Sequence, residues 1–282
     1  TIRDLFSIHT DVTSPIPDEV NAGSFDTVGT TQRISAVHME SYLQAANQAL
    51  DATIRLGRNP YHNYGDHADH NFSHLKPWHE KPLNLGGSVT RPLKGKTGFA
   101  LFRDIDYLTQ FTYSVRASGM YRLTAKIAAY QSKKPVIAKF IVKDPTGGAR
   151  LLKAIDLVPN ESHTEVIETF LEPGDIPYLT YDPGTEGFLG GVFGAGGAKH
   201  YRGPGLAIMS QQIEGPIFKS WPPPSTRQLL AGFEFSGPSP KPREKKAPIE
   251  YVRDLVTAIA PRMFRRNVSD EELQPFVKLA EP

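Results

Sequence analysis

The chain predicts a mainly β protein: an antiparallel jelly-roll-type β-sandwich over residues 85–218, flanked by small N- and C-terminal helical modules. Three observations point there. Tyr121, Leu123, Ala125, Ile127 and Ala129 alternate with Arg122, Thr124 and Lys126, the period-two pattern of a strand with one buried face. Asp144-Pro-Thr-Gly-Gly148 is a strong turn signal between two further apolar-periodic segments, Val136 to Val142 and Arg150 to Val158. Additional strand candidates are Phe99 to Arg103, Thr112 to Arg116, Thr164 to Leu171, Tyr178 to Tyr181 and Leu206 to Ile213, with no helical period between them. Short strands in unbroken succession favour two packed antiparallel sheets over a βα architecture.

The elements outside the sandwich follow from local signals. In residues 1–57, Ile2, Leu5 and Phe6 share one face of a short helix, and Pro15, Pro17, Gly23 and Gly29 keep residues 10–34 irregular. A second helix is predicted from about Ala36 to Leu56, capped by Ser35 and closed by Gly57; Met39, Leu43, Ala46, Leu50 and Ile54 are expected to be its core face. Residues 58–84, rich in His, Asn, Asp and Pro, read as a connecting loop. Residues 219–247 hold Pro222, Pro223, Pro224, Pro238, Pro240 and Pro242, whose fixed φ angles and missing donors predict an extended linker, with Trp221 clamping it onto a domain. In residues 248–282, Pro248 suits a helix start, Ile249, Val252, Leu255, Val256 and Ile259 form a stripe, and Pro261 ends or kinks that helix. Ser269-Asp-Glu-Glu272 has capping-box spacing for a last helix bearing Leu273, Phe276 and Val277, distorted by Pro275. The abrupt start at Thr1 and the unfinished hairpin at Pro282 are expected marks of a piece of a longer protein.

Composition excludes several classes. Of 282 residues, 39% are hydrophobic and 22% charged, enough for a core. Lys plus Arg (32) nearly balance Asp plus Glu (30), so the net charge of +2 gives no electrostatic footprint for nucleic acid. The basic run Lys241 to Lys246 reads as a solvated stretch of linker. Cysteine is absent, which excludes disulfides, thiolate metal sites and a covalently attached c-type haem within these residues. No apolar run approaches the ~20 residues of a membrane span.

Several groups of residues are candidates for chemistry. Five of the nine histidines fall at His62, His67, His70, His74 and His79; His67, His70 and His74 would share a face if helical and could ligate zinc, copper or nickel, whereas Asn63, Gly65 and Asn71 favour plain loop histidines. Sandwiches of this type often hold calcium, for which Asp104 and Asp106 are the lead ligands, with Asp175, Asp182 and Glu214 behind them. Sugar recognition needs flat aromatic faces beside hydroxyl-reading polar groups, and Tyr178, Tyr181, Asp182 and Tyr201 meet that description. The plainer reading of tyrosines in a β protein is core packing. Glycine-rich Gly190 to Gly203 lacks the Gly-Lys-Ser/Thr ending of a phosphate loop and reads as a loop. No Gly-x-Ser-x-Gly elbow or His-Glu-x-x-His helix occurs, and Glu165, Glu168 and Glu172 are more simply a solvated edge than glycosidase acids.

Thr1 to Leu5, Pro15, Pro17, Asp18, Gly23, Phe25, Asp26, Gly29, Ser35, Glu40, Tyr42, Leu43, Ala45 and Ala46 resemble the start of a planctomycete-type family of large exported multidomain proteins. Gly205-Leu-Ala-Ile to Glu214-Gly-Pro-Ile with Trp221-Pro-Pro, and the run Arg262 to Glu272, resemble the same family. Gly119-Met-Tyr-Arg-Leu123 and Leu171-Glu-Pro-Gly174 are similar to carbohydrate-binding-like sandwiches. The resemblance implies strings of uncharacterised domains, often led by a c-type cytochrome, in the periplasm or outside the cell. Partners would then be polysaccharide and other domains of the parent chain, including that cytochrome. The expected function is a non-catalytic glycan-binding or positioning region. A structural scaffold without sugar binding and a metal-dependent redox accessory are the alternatives.

Overall fold

The computed structural model describes residues 2–6, 8, 12, 16, 36–66, 89–94, 98–103, 109–112, 114–181, 191–230, 233–237, 241–243 and 246–281. These form two compact units, one from residues 1–59 and 219–282, the other from Pro60–Phe218. The N- and C-terminal helical segments, expected as separate modules, therefore belong to one unit, and the sandwich is inserted between its halves.

The inserted unit is an antiparallel β-sandwich. Its strands are β1 His62–Asp66, β2 Thr90–Pro92, β3 Phe99–Leu101, β4 Gly119–Tyr130, β5 Val136–Lys143, β6 Ala149–Leu157, β7 Ser162–Leu171, β8 Ile176–Tyr181 and β9 Gly205–Ile217. One sheet has the order β2-β3-β9-β4-β7, with β1 also on β9, and the other has the order β6-β5-β8. The chain changes sheet between β4 and β5, β6 and β7, β7 and β8, and β8 and β9. Long β9 shares its second edge between β3, opposite Leu206 to Ile208, and β1, opposite Gln212 to Gly215. Residues 62–66, read from sequence as connecting loop, are thus a strand. Their polar composition hid a pairing made by backbone groups of a distant segment.

Period-two alternation does what it predicts in β4. Tyr121, Leu123, Ala125 and Ile127 face inward, where they meet Phe99, Leu101, Phe111, Phe140, Leu179 and Ile208 in one buried core. Each such side chain contributes roughly 1.5–3 kcal/mol by leaving water. Residues 109–112 and 114–115 run along the free edge of β8: the Phe111 N–H donates to Pro177 O at 2.8 Å and the Val115 N–H to Asp175 O at 2.9 Å. That edge is covered, although the described residues of the predicted strand Thr112 to Arg116 are not assigned to a strand. At Gly215 the backbone has φ +147°, and an added Cβ would lie 2.5 Å from the Tyr121 ring, so only glycine fits where β9 crosses this tyrosine.

In the helical unit, α1 is Ile2–Phe6, α2 Ala36–Thr53, α3 Pro224–Leu229, α4 Pro248–Phe264 and α5 Asp270–Lys278, with a small hairpin of β10 Glu234–Ser236 and β11 Lys241–Arg243. The segment expected to be an extended linker thus contains a helix and a hairpin. Trp221 does act as a clamp, its indole N–H donating to Gly57 O at 2.7 Å. The expected core face of α2 is corrected. Met39, Leu43, Ala46, Leu50 and Ile54 are exposed, Leu43 by 64%, and the buried face is Ser41, Ala45, Ala49 and Thr53. The two stripes lie roughly 120° apart round the helix. The small side chains win because Ala49 packs directly on Ile8 and Val12, and Thr53 meets Thr226 of α3 at hydrogen-bond distance. Pro261 and Pro275 neither end α4 nor α5, and Ser269 caps α5 as its spacing predicts, accepting from the Glu272 N–H at 3.4 Å.

Candidate functional site

The sequence-predicted tyrosines do not converge. Tyr178 and Tyr181 are three residues apart on β8, an odd separation, so they point to opposite faces. Tyr181 is 2% exposed and lies in the core; Tyr178 is half-buried on the outer face of the three-stranded sheet, in register with Ile141. Tyr201 is 8% exposed and packs edge-on against Phe102, ring centroids 5.4 Å apart. The Arg91 guanidinium holds this corner: it donates to Ala198 O at 3.1 Å and Tyr201 O at 3.3 Å and lies 4.9 Å from the Phe102 ring centroid. Tyr181 and Tyr201 are therefore buried, and the three tyrosines do not form an exposed platform. Asp182, His67, His70, His74, Asp104 and Asp106 lie outside the described residues.

Of the further carboxylates considered for calcium, Asp175 Oδ2 accepts from the Glu172 N–H at 3.0 Å, and Glu214 is engaged by both oxygens as described below. Among the described residues, no three His, Asp or Glu side chains come together as a metal site. Glu165 and Glu168 sit on opposite faces of β7 and cannot act as a pair. Glu165 is nearly buried at the joint between β6 and β7, where it accepts from Lys153 Nζ at 2.9 Å and lies 3.0 Å from His163 Nε2. Burial pushes the Glu165 carboxyl up, but the hydrogen bonds from His163 and Lys153 outweigh it and hold the group below the usual carboxylate range. A depressed carboxyl contributes stability above its unfolded pKa and loses it as pH falls through the lower, folded value. The thermal midpoint of wild type is therefore expected to fall further on acidification than that of Glu165→Gln, and parallel pH profiles would contradict this.

What the fold does assemble is a polar row on the outer face of the six-stranded sheet. Arg122, outward on β4, is in register with Glu168 of β7 on one side and Glu214 of β9 on the other, and Glu214 is in register with Asn63 of β1. Arg122 Nη1 donates to Glu214 Oε1 at 2.6 Å, while Nε and Nη2 donate to Glu168 Oε1 at 3.1 and 2.8 Å. The Tyr61 hydroxyl, just before β1, donates to Glu214 Oε2 at 3.2 Å. The next outward row is Val166, Thr124 and Gln212, and beyond it Lys126 lies between Thr164 and Ser210. Hydrogen bonds to Glu168 and Glu214 raise the already high Arg122 pKa, so its charge is permanent. Partial loss of hydration and the Glu214 hydrogen bond push the Tyr61 phenol up, keeping it a donor. The result is an outward-facing, partly exposed row of hydroxyl, amide, guanidinium and carboxylate groups placed by strand register. The outward position of Arg122 was readable from alternation; its partners, 46 and 92 residues away, were not.

Residues 1–55 match the family described as PSD3, a protein of unknown function (DUF1587). No curated protein sequence matches the chain. Among solved structures, the CBM22-1 xylan-binding domain of Paenibacillus barcinonensis Xyn10C is similar at 14% identity and TM-score 0.26, over 41% of this chain and 62% of that one. The carbohydrate-binding module CBM6cm-2 of Cellvibrio mixtus lichenase 5A is similar at 14% identity and TM-score 0.26, over 45% of this chain and 88% of the module. Eiger TNF from S. frugiperda is similar at 15% identity and TM-score 0.25, over 39% and 66%. The chain spans less than two thirds of the xylan-binding domain and of Eiger TNF. Likenesses at this level assign no ligand. No described helix is long and apolar enough to cross a membrane.

Proposed function

We propose that the sandwich is a non-catalytic glycan-binding or positioning region of an exported multidomain protein, and that it binds through the outer face of its six-stranded sheet. The observation that carries this is the Glu168–Arg122–Glu214–Tyr61 array. Glu168 and Tyr61 are exposed, Arg122 is partly exposed and Glu214 is half-buried between them, all joined by hydrogen bonds that fix polar groups of the kind hydroxyl-rich ligands require. Affinity electrophoresis of the whole chain through gels containing soluble polysaccharides tests the reading. Wild type is expected to be retarded by at least one polysaccharide, and Arg122→Ala, which releases both carboxylates from their common anchor, to weaken that retention about tenfold. Unretarded migration in every gel, with and without calcium, rules the reading out.

A scaffold that contacts other domains and binds no sugar is the second reading. It is favoured by the burial of Tyr181 and Tyr201, which removes the aromatic platform on which many sugar sites are built.

A further inference from the structure

We infer that the exposed apolar stripe of α2 is an interaction surface, and that its partner is the same stripe of a second copy of this chain, run antiparallel about a twofold axis near Ala46. The helix already has a core face. Ser41, Ala45, Ala49 and Thr53 are buried, with Ala49 on Ile8 and Val12 and the Thr53 carbonyl bonded to Thr226. Met39, Leu43, Ala46, Leu50 and Ile54 are left on a second face, where Leu43 is 64%, Met39 52%, Leu50 39% and Ile54 37% exposed. Tyr42, on the flank of that face, is exposed by 39%. Single exposed apolar residues are ordinary, whereas five at helical spacing on one face form a contiguous patch of the kind that marks an interface. The charges of α2 narrow the choice of occupant, for the helix carries two carboxylates, Glu40 and Asp51, and no Lys or Arg. Helices that lie on membranes set basic residues along their polar face. Lacking them, this stripe is matched to the apolar face of a protein.

The spacing then points to a copy of itself. Counting from Ala46, leucine stands three residues before and four after, and Met39 and Ile54 stand seven before and eight after. Reversed, the stripe maps nearly onto itself: Leu43 meets Leu50, Met39 meets Ile54, and the small Ala46 lies at the axis, where the two helices come closest. Such self-complementarity is what an isologous twofold dimer requires. Reversal also parts like charges, since the two Glu40 would stand roughly 20 Å from each other along the helices, beyond the reach of screened repulsion. The exposed parts of the stripe and Tyr42 come to on the order of 500 Å² per copy, or about 1,000 Å² in the pair, the lower end of specific interfaces. The association is therefore reversible, with a Kd of about 10–100 µM.

Sedimentation velocity of the whole chain, from about 1 to 300 µM, is expected to show monomer giving way to dimer. Leu43→Glu, at a position outside the core, should weaken that association at least about tenfold. Val37→Glu is the control: Val37 is 61% exposed but lies roughly 140° round the helix from the stripe, and its substitution should leave the association unchanged. The chain has no cysteine, so introduced thiols report the register. Ala46→Cys should give a disulfide-linked dimer under mild oxidation, whereas Met39→Cys should do so only when mixed with Ile54→Cys. A monomer at every concentration overturns the inference, and binding of that monomer to phosphatidylcholine vesicles would assign the stripe to a membrane instead. Equal weakening by Val37→Glu, or self-linking of Met39→Cys, overturns the antiparallel pairing through this face.

Discussion

Tyr181→Ala is expected to destabilise the sandwich by about 3–5 kcal/mol, the cost of truncating a large aromatic side chain in a packed core. The residue is 2% exposed and stands on the inner face of β8, in register with Ala138 of β5. The small side chain of Ala138 leaves room for the ring, so its truncation opens a cavity in the core. Because the protein has two compact units, unfolding need not be two-state, so the effect is best read as lost amide protection in β5 and β8 during hydrogen exchange. Tyr178→Ala, on the half-buried outer face of the same strand, should cost far less. A Tyr181→Ala protein that keeps full protection but loses polysaccharide retention would restore the tyrosine to the binding role its sequence context suggested.

Thr226→Val should have an effect of similar kind in the helical unit. Thr226 is fully buried; its hydroxyl donates to Thr53 O at 2.6 Å and accepts the Arg55 N–H at 3.0 Å. Valine keeps the shape and removes both bonds, stranding a donor and an acceptor away from water. Each stranded group costs about 1–3 kcal/mol, so a loss of about 2–6 kcal/mol is expected. Exchange should accelerate at the C-terminal end of α2 and in α3, while β4, β7 and β9 keep their protection. Equal loosening of the sandwich strands would show that the two units unfold together and would refute the division.

These two residues also show where sequence reading succeeds and where it stops. Local rules worked well: alternation in β4, the Asp144 turn, whose carboxylate accepts from the Thr146 and Gly148 N–H groups, and the Ser269 cap are all set by neighbours in sequence. The fold class followed from them. The site did not, because it depends on register between strands far apart. Arg122 could be placed on a face, but only the pairing of β4 with both β7 and β9 reveals that two glutamates flank it. The tyrosines chosen from sequence are separated in the fold for a related reason. A residue's type says that it can stack on a sugar, whereas its parity along β8 and the loop that follows decide which face it occupies. On α2, apolar periodicity selected the bulkier of two stripes, yet close approach of neighbouring segments favoured the one made of Ala and Thr.

The Trp221–Gly57 clasp and the paired Thr53 and Thr226, described above as packing details, also set how the protein carries a load. The chain leaves the helical unit just after Gly57 and re-enters just before Trp221, so both ends of the sandwich depart from the two sides of one clasp. Tension transmitted through the helical unit crosses from one side of that clasp to the other and bypasses the 159 residues from Pro60 to Phe218 until the clasp gives way. A pull on the two chain termini would therefore load the helical unit before it reached the strands of the sandwich, and the first event of forced unfolding would be the opening of that clasp.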